Sequence, residues 1–115
     1  MSIEIYHNPR CSKSRETLAL LESNGISPTV IEYLKTPLDE ETLSALLTKL
    51  GFSSAHQLVR SKETLYKELG LSKETDEAQL RKAMLENPKL IERPIVVNDN
   101  KAAIGRPPES VLEIL

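Results

Sequence analysis

The chain's single cysteine is the residue most able to do covalent chemistry. Cys11 lies in His7-Asn8-Pro9-Arg10-Cys11-Ser12-Lys13-Ser14-Arg15, where a strand-like stretch gives way to a helical one. If Cys11 is the helix N-cap, the backbone N–H groups of Lys13 and Ser14 point back at its sulfur and the helix dipole favours negative charge there. Such settings move a thiol pKa from about 8.5 into the range of roughly 3.5 to 7.5, leaving much of the sulfur as nucleophilic thiolate at neutral pH. His7, Arg10 and Lys13 would push the same way. The competing reading is a small buried hydrophobe, the commoner fate of a free cysteine. Unpaired N–H groups with the hydroxyls of Ser12 and Ser14 also make this entrance a ready anion site, so a sulfur nucleophile and an oxyanion can meet there.

Known thiol motifs narrow the choice. A tyrosine-phosphatase loop would place arginine six residues after the cysteine, and position 17 is Thr; Arg15 falls too early. A C-x-x-C redox pair fails because its second position is Ser14. Arg60, Arg93 and Arg106 each stand near the expected end of an element, and guanidinium offers a planar fork of donors suited to tetrahedral oxyanions. Taken singly, each is more often a solvated surface charge. Proline after Arg93 opens a short strand, and the bond before Pro94 is either cis or an ordinary edge-strand trans bond. His7 reads equally as a tuner of the thiolate or as a satisfied strand-end residue, whereas His56 has no partner nearby in sequence.

Composition sets the outer limits. With 115 residues, 39% of them hydrophobic, the chain can bury a core without staples, and one domain spanning 1–115 is expected. One cysteine excludes an internal disulfide, and two distant histidines leave no metal-ligand spacing, so no metal is expected. A net charge of -2 argues against a non-specific nucleic-acid binder. The N-terminus lacks the basic and apolar regions of a signal peptide, and no apolar run approaches the roughly 20 residues of a membrane span. The expectation is a cytoplasmic protein with a reduced thiol, and, since one core accounts for the apolar periodicity, a monomer.

The elements that must position these residues follow from periodicity. Ile3 to Tyr6 reads as a strand stopped at Asn8-Pro9, and a helix runs from Ser12 through Leu18 and Leu21 to Asn24-Gly25. Thr29 to Leu34 reads as a second strand, completing a β-α-β unit. Thr36-Pro37-Leu38-Asp39 resembles a helix start with proline in the first turn, followed by Leu43, Leu46, Leu47 and Leu50 at helical spacing and Gly51 as the stop. Ser53 to Gly70 suggests short helices carrying Leu58, Leu65 and Leu69. Asp76 with Gln79 resembles a capping box before a helix bearing Leu80, Ala83 and Met84. Ile95-Val96-Val97 and Ala102-Ala103-Ile104 flank a hairpin turn, and Pro107-Pro108 opens a terminal helix turning Val111, Leu112 and Leu115 inward. The order is β-α-β, a helical insertion over about 38–88, then β-β-α.

Tyr6-His7-Asn8-Pro9-Arg10-Cys11-x-x-Ser14-Arg15, Arg60, Glu92-Arg93-Pro94-Ile95-Val96-Val97 and Gly105-Arg106-Pro107 together resemble the glutaredoxin-dependent arsenate reductase family over essentially the whole chain. Ser12-Lys13 between Cys11 and Ser14 is similar to its shorter-chain members. The resemblance implies an α/β, thioredoxin-like fold with a helical insertion between its halves. It implies Cys11 as nucleophile, His7 and Ser14 as stabilisers of its thiolate, Arg60, Arg93 and Arg106 as holders of the oxyanion, and a cis bond at Pro94, with Asn8 and Arg15 as structural neighbours. The implied reaction reduces arsenate to arsenite with glutathione as co-substrate, glutaredoxin as protein partner and no bound cofactor. Two other functions fit the fold: a glutathione-dependent thiol reductase, and a regulatory binding protein similar to the Spx-type transcription regulators, which typically carry the C-x-x-C that Ser14 interrupts here.

Overall fold

The computed structural model describes residues 3–36 and 38–115. Four short strands form one mixed sheet in the order β2-β1-β3-β4. Strand β1 (Ile3–Tyr6) pairs in parallel with β2 (Thr29–Ile31) and antiparallel with β3 (Ile95–Asn98), and β3 pairs antiparallel with β4 (Lys101–Ile104). Helix α1 (Ser12–Ser23) makes the crossover that a parallel β1–β2 pair requires. All residues of β3 are buried, which its continuous Ile-Val-Val run anticipates for a central strand. Ile5, Leu21, Val96 and Val111 form the fully buried centre, with Ile3, Leu18, Ile26, Ala103 and Ile114 packed around it. This is the thioredoxin-like arrangement expected above.

The contacts divide the chain into two compact units, Met1–Thr36 with Arg93–Leu115, and Pro37–Glu92. The second holds α2 (Glu40–Leu50), α3 (Thr64–Glu68) and α4 (Glu77–Glu86), with single 3-10 turns at Ala55–Gln57 and Pro88–Leu90. Its interior is built from Leu43, Leu46, Leu47, Ala55, Leu58, Leu80, Met84 and Leu90, each buried. Among the described residues, no helix is long and apolar enough to cross a membrane.

Several local expectations are corrected. Strand β2 ends at Ile31 rather than Leu34, because the chain turns at Glu32, whose carbonyl accepts from Lys35 N (2.9 Å) and Thr36 N (3.0 Å). Helix α2 starts at Glu40 with Asp39 as its cap, accepting from Thr42 N at 2.7 Å, so proline does not occupy its first turn; Pro37 itself lies outside the described residues. Asp76 caps α4 by accepting from Ala78 N (3.2 Å), while the reciprocal box closes instead at Ser54 and Gln57. Leu69 is exposed and Tyr66 takes the buried place in α3. The terminal helix is a 3-10 helix, Pro108–Ile114. Its three-residue period aligns Pro108, Val111 and Ile114 along one side, which leaves Leu112 and Leu115 at 40% and 39% exposure instead of inward.

One ionic cluster ties the helical unit together. The Glu77 carboxylate accepts from Ser54 Oγ (2.7 Å), Ala55 N (2.9 Å) and Arg81 Nε (2.7 Å), and Arg81 Nη1 donates to Glu40 (2.9 Å) and Ser44 (2.9 Å). Burial alone would raise the Glu77 pKa, but the donors Ser54, Ala55 and Arg81 outweigh it and hold the group at about 2. Folding therefore keeps Glu77 ionised where the unfolded chain would protonate it. The resulting stabilisation is complete above the ordinary value of 4.5 and is lost as pH falls toward about 2. At 38% side-chain exposure the cluster is screened, and its worth is on the order of 1 kcal/mol. Glu77→Gln is expected to lower stability by about that much at pH 7 and to flatten the decline between pH 4.5 and 2. Urea titrations of both chains across that window check this; parallel acid limbs would contradict it.

Candidate active site

The sheet register explains how residues far apart in sequence meet. Tyr6, the last residue of β1, pairs with Ile95, the first of β3, and Ile95 pairs with Ile104, the last of β4. The segments 7–11, 93–94 and 105–107 therefore leave the sheet at the same edge.

The first segment is tightly held. His7 N donates to Ile31 O (2.8 Å), carrying the parallel ladder one residue past β1. Asn8 O then accepts from Cys11 N (3.0 Å) and Asn8 Oδ1 from Arg10 N (3.0 Å), a turn of the kind Asn side chains support. Asn8 N donates to Ser14 Oγ (3.0 Å), Arg15 N to Cys11 O (3.0 Å) and Arg15 Nη1 to Pro9 O (3.0 Å). The loop is thus bound to the first turn of α1 from both ends.

Cys11 is the N-cap of α1, with extended backbone (φ -94°, ψ 124°) and 8% exposure. Its sulfur makes no formed capping hydrogen bond, so the amides act on it as oriented dipoles. Burial pushes the thiol pKa up, but the N–H of Ser14, the Arg93 guanidinium, the N–H of Lys13 and the Arg106 guanidinium together bring it below the ordinary value. Arg106 Nη2 stands 3.6 Å from Sγ, and Arg106 Nε donates to Arg93 O at 2.8 Å, which fixes its fork toward the sulfur. The cations that act on the thiolate are these two sequence-distant arginines. Of the local candidates, Lys13 pairs with Glu16 at 3.4 Å and Arg10 is exposed.

His7 is buried and its Nδ1 lies 2.6 Å from Ser14 Oγ. Burial lowers its pKa, and Arg15 lowers it further against the opposing charge of Glu32, so the neutral imidazole is favoured. The expected push from a charged His7 is therefore replaced by a contact through Ser14, itself fully buried. Arg60 belongs to the helical unit, where Nη1 pairs with Glu63 at 2.8 Å and Nε with Glu92 at 3.7 Å. His56 lies in the same unit with Nε2 2.9 Å from Thr75 O. Among the described residues, no group of at least 3 His, Cys, Asp or Glu side chains could hold a metal ion.

The Arg93–Pro94 bond is cis, as the resemblance implies. Other contributors were not anticipated: Arg106–Pro107 is cis as well, and between these segments Gly105 N donates to Pro94 O at 2.9 Å. A Cβ on Gly105 would overlap Thr17 Oγ1 and come within 2.8 Å of Pro94 Cγ, so only glycine lets α1 lie this close to both arginine segments. Thr17 is fully buried, bonding to Lys13 O at 2.8 Å. Glu32, whose charge acts on His7, was read only as part of a strand. The Gly-Arg-Pro run and the i, i+3 spacing of Arg60 and Glu63 were the available signals.

Fold and site together define a thioredoxin-like protein with one thiol of lowered pKa on which two guanidinium groups act, that of Arg106 held in place by Arg93 O. The ArsC family model matches residues 6–114. The chain is 53% identical to an arsenate reductase of Haemophilus influenzae, covering 100% of both chains, and 45% identical to an arsenate reductase of Rhizobium meliloti, covering 100% of this chain and 82% of that one. A solved structure of an arsenate reductase from Vibrio cholerae superimposes with a TM-score of 0.96 at 57% identity, covering 100% of this chain and 98% of that one. The chain belongs to the ArsC family.

Two expected outcomes test this geometry. Alkylation of Cys11 by neutral iodoacetamide should show its pH midpoint below the ordinary thiol range, and Arg106→Ala should move that midpoint upward; an unmoved midpoint would remove Arg106 from the site. Gly105→Ala should cost about 1–3 kcal/mol through overpacking against Thr17 and Pro94, read by urea denaturation. Unchanged stability would mean that α1 gives way freely.

Proposed function

We propose that the protein reduces arsenate to arsenite, with glutathione as co-substrate and a glutaredoxin as the partner that regenerates Cys11. The observation that carries this reading is the Arg106 guanidinium 3.6 Å from the sulfur of a thiol held below its ordinary pKa. Thiolate and arsenate are both anionic, and cations beside the sulfur offset their repulsion and the charge of the adduct.

In the first step Cys11 Sγ attacks arsenic, an S–As bond forms, an As–O bond breaks and the oxygen leaves as water after protonation. Arg93 and Arg106 neutralise the arsenate oxygens. Reduction of As(V) to As(III) needs two electrons from two thiols, and this chain carries one. The glutathione thiolate therefore attacks Cys11 Sγ: an S–S bond forms, the S–As bond breaks, and its electron pair stays on arsenic, which leaves as arsenite. A glutaredoxin thiol then exchanges with the Cys11–glutathione disulfide and restores the free thiol. Such chemistry belongs to a reducing, cytoplasmic setting.

The test is arsenate-dependent NADPH oxidation in a system coupled through glutathione, glutaredoxin and glutathione reductase. Turnover is expected for the native chain and none for Cys11→Ser. Arg106→Ala should lower kcat/KM for arsenate about ten- to a hundredfold, as expected for a lost hydrogen bond to a charged group worth about 1.5–3 kcal/mol. Arsenate reduction retained in Cys11→Ser would overturn the proposal. Cys11-dependent reduction of mixed disulfides without any response to arsenate would replace it with a thiol reductase.

A further inference from the structure

Past the C-terminal ends of β1 and β2 lies a recess of about 240 Å³, lined by the loop 7–10 and by Glu32, Leu34 and Lys35. One wall is the same turn that delivers the thiol: Cys11 N is bonded to Asn8 O, and His7 is bonded to Ser14, whose N–H acts on the sulfur. Cys11 itself does not line the recess, but a molecule seated there rests on the four residues that lead directly into it.

The lining has a definite chemistry. Arg10 and Lys35 are cations, Glu32 is an anion, and Leu34 adds an apolar surface that is 43% exposed. Glu32 and Lys35 touch at 3.4 Å, but with side-chain exposures of 39% and 78% that pair is worth little and yields readily to a ligand. A neutral His7 adds no further cation. Two cations and one anion call for the inverse pattern on a small body, two carboxylates and one ammonium around an apolar middle. Arsenate fits poorly, since Glu32 repels it. Glutathione carries that set of charges, with its thiol in the middle. At about 240 Å³ the recess is smaller than the roughly 300–1,000 Å³ of sites that bury most of a ligand. It holds a co-substrate along one side and leaves it able to depart.

We propose that this recess is the glutathione subsite, with Arg10 and Lys35 receiving the carboxylates, Glu32 the ammonium group, and Leu34 flanking the cysteinyl part. The assignment rests on the reading that glutathione attacks the Cys11 adduct, and it names the surface from which that thiol is presented.

S-methylglutathione, which cannot react, is the probe. In an amide NMR titration of the native chain, its shifts should gather at residues 7–10 and 32–35, and Lys35→Glu should weaken binding five- to twentyfold. In the coupled assay Lys35→Glu should raise the KM for glutathione by the same factor, leaving the KM for arsenate and the alkylation rate of Cys11 unchanged. Shifts gathered elsewhere, no binding at millimolar probe, or equal rises in both KM values would overturn the subsite. Arsenate turnover without binding at the recess removes the subsite and leaves the proposed function standing. Binding at the recess without arsenate turnover does the reverse.

Discussion

The favouring of negative charge on a sulfur in a nearly closed place is the constraint around which the sheet-bearing unit is arranged. Burial of Cys11 favours the neutral thiol, and the opposing contributions come from amides at the mouth of α1 and from two guanidinium groups. The dipole term falls off within the first turn of the helix, and both it and the charge–charge terms weaken with distance. The sulfur, the helix entrance and both arginines must therefore be held in register. The bonds of Asn8, Ser14 and Arg15 secure the first two, and the bond from Arg106 Nε to Arg93 O holds the Arg106 guanidinium. Gly105 permits the close approach that joins them.

The topology makes that convergence possible. With β3 antiparallel to both β1 and β4, the end of one strand, the start of the next and the end of the last share one edge. Loops emerging there can be short, and short loops hold charge more rigidly than long ones. The helical unit has its own buried residues and its own ionic cluster around Glu77.

How much of this was legible in the residues depended on the kind of signal. β1, the leucine stripe of α2 and the β3–β4 hairpin follow from periodicity, and the cysteine at a helix entrance follows from its flanks. The end of β2 did not, because Glu32 to Lys35 is closed by backbone bonds that no side-chain pattern announces. The terminal segment kept apolar residues compatible with an α-helix, and only its 3-10 period decides that Val111 and Ile114 face the core. The buried stripe of α1 was hidden for a different reason. Its buried positions include Ser14 and Thr17, small polar residues chosen for hydrogen bonds and close approach, and a hydrophobic pattern cannot find them. Arg93 and Arg106 could be named as candidates singly, but their meeting at Cys11 is a property of strand register.

The contrast between His7 and the arginines shows what the site selects. Burial favours neutral His7, whereas guanidinium as a chemical group carries its charge across the physiological range. A thiolate balanced by imidazolium would lose its partner as pH rises through the histidine range, and the pair would titrate together. Guanidinium partners remove that dependence and leave His7 to orient Ser14. The arrangement also limits how far the thiol pKa should fall, because sulfur nucleophilicity declines with basicity, with a Brønsted slope of about 0.4–0.5. Burial of Cys11 acts against its amides and cations, so the lowering they produce is partly opposed at the sulfur itself. The opposition of those forces at one sulfur is thus a compromise between the amount of thiolate and its strength.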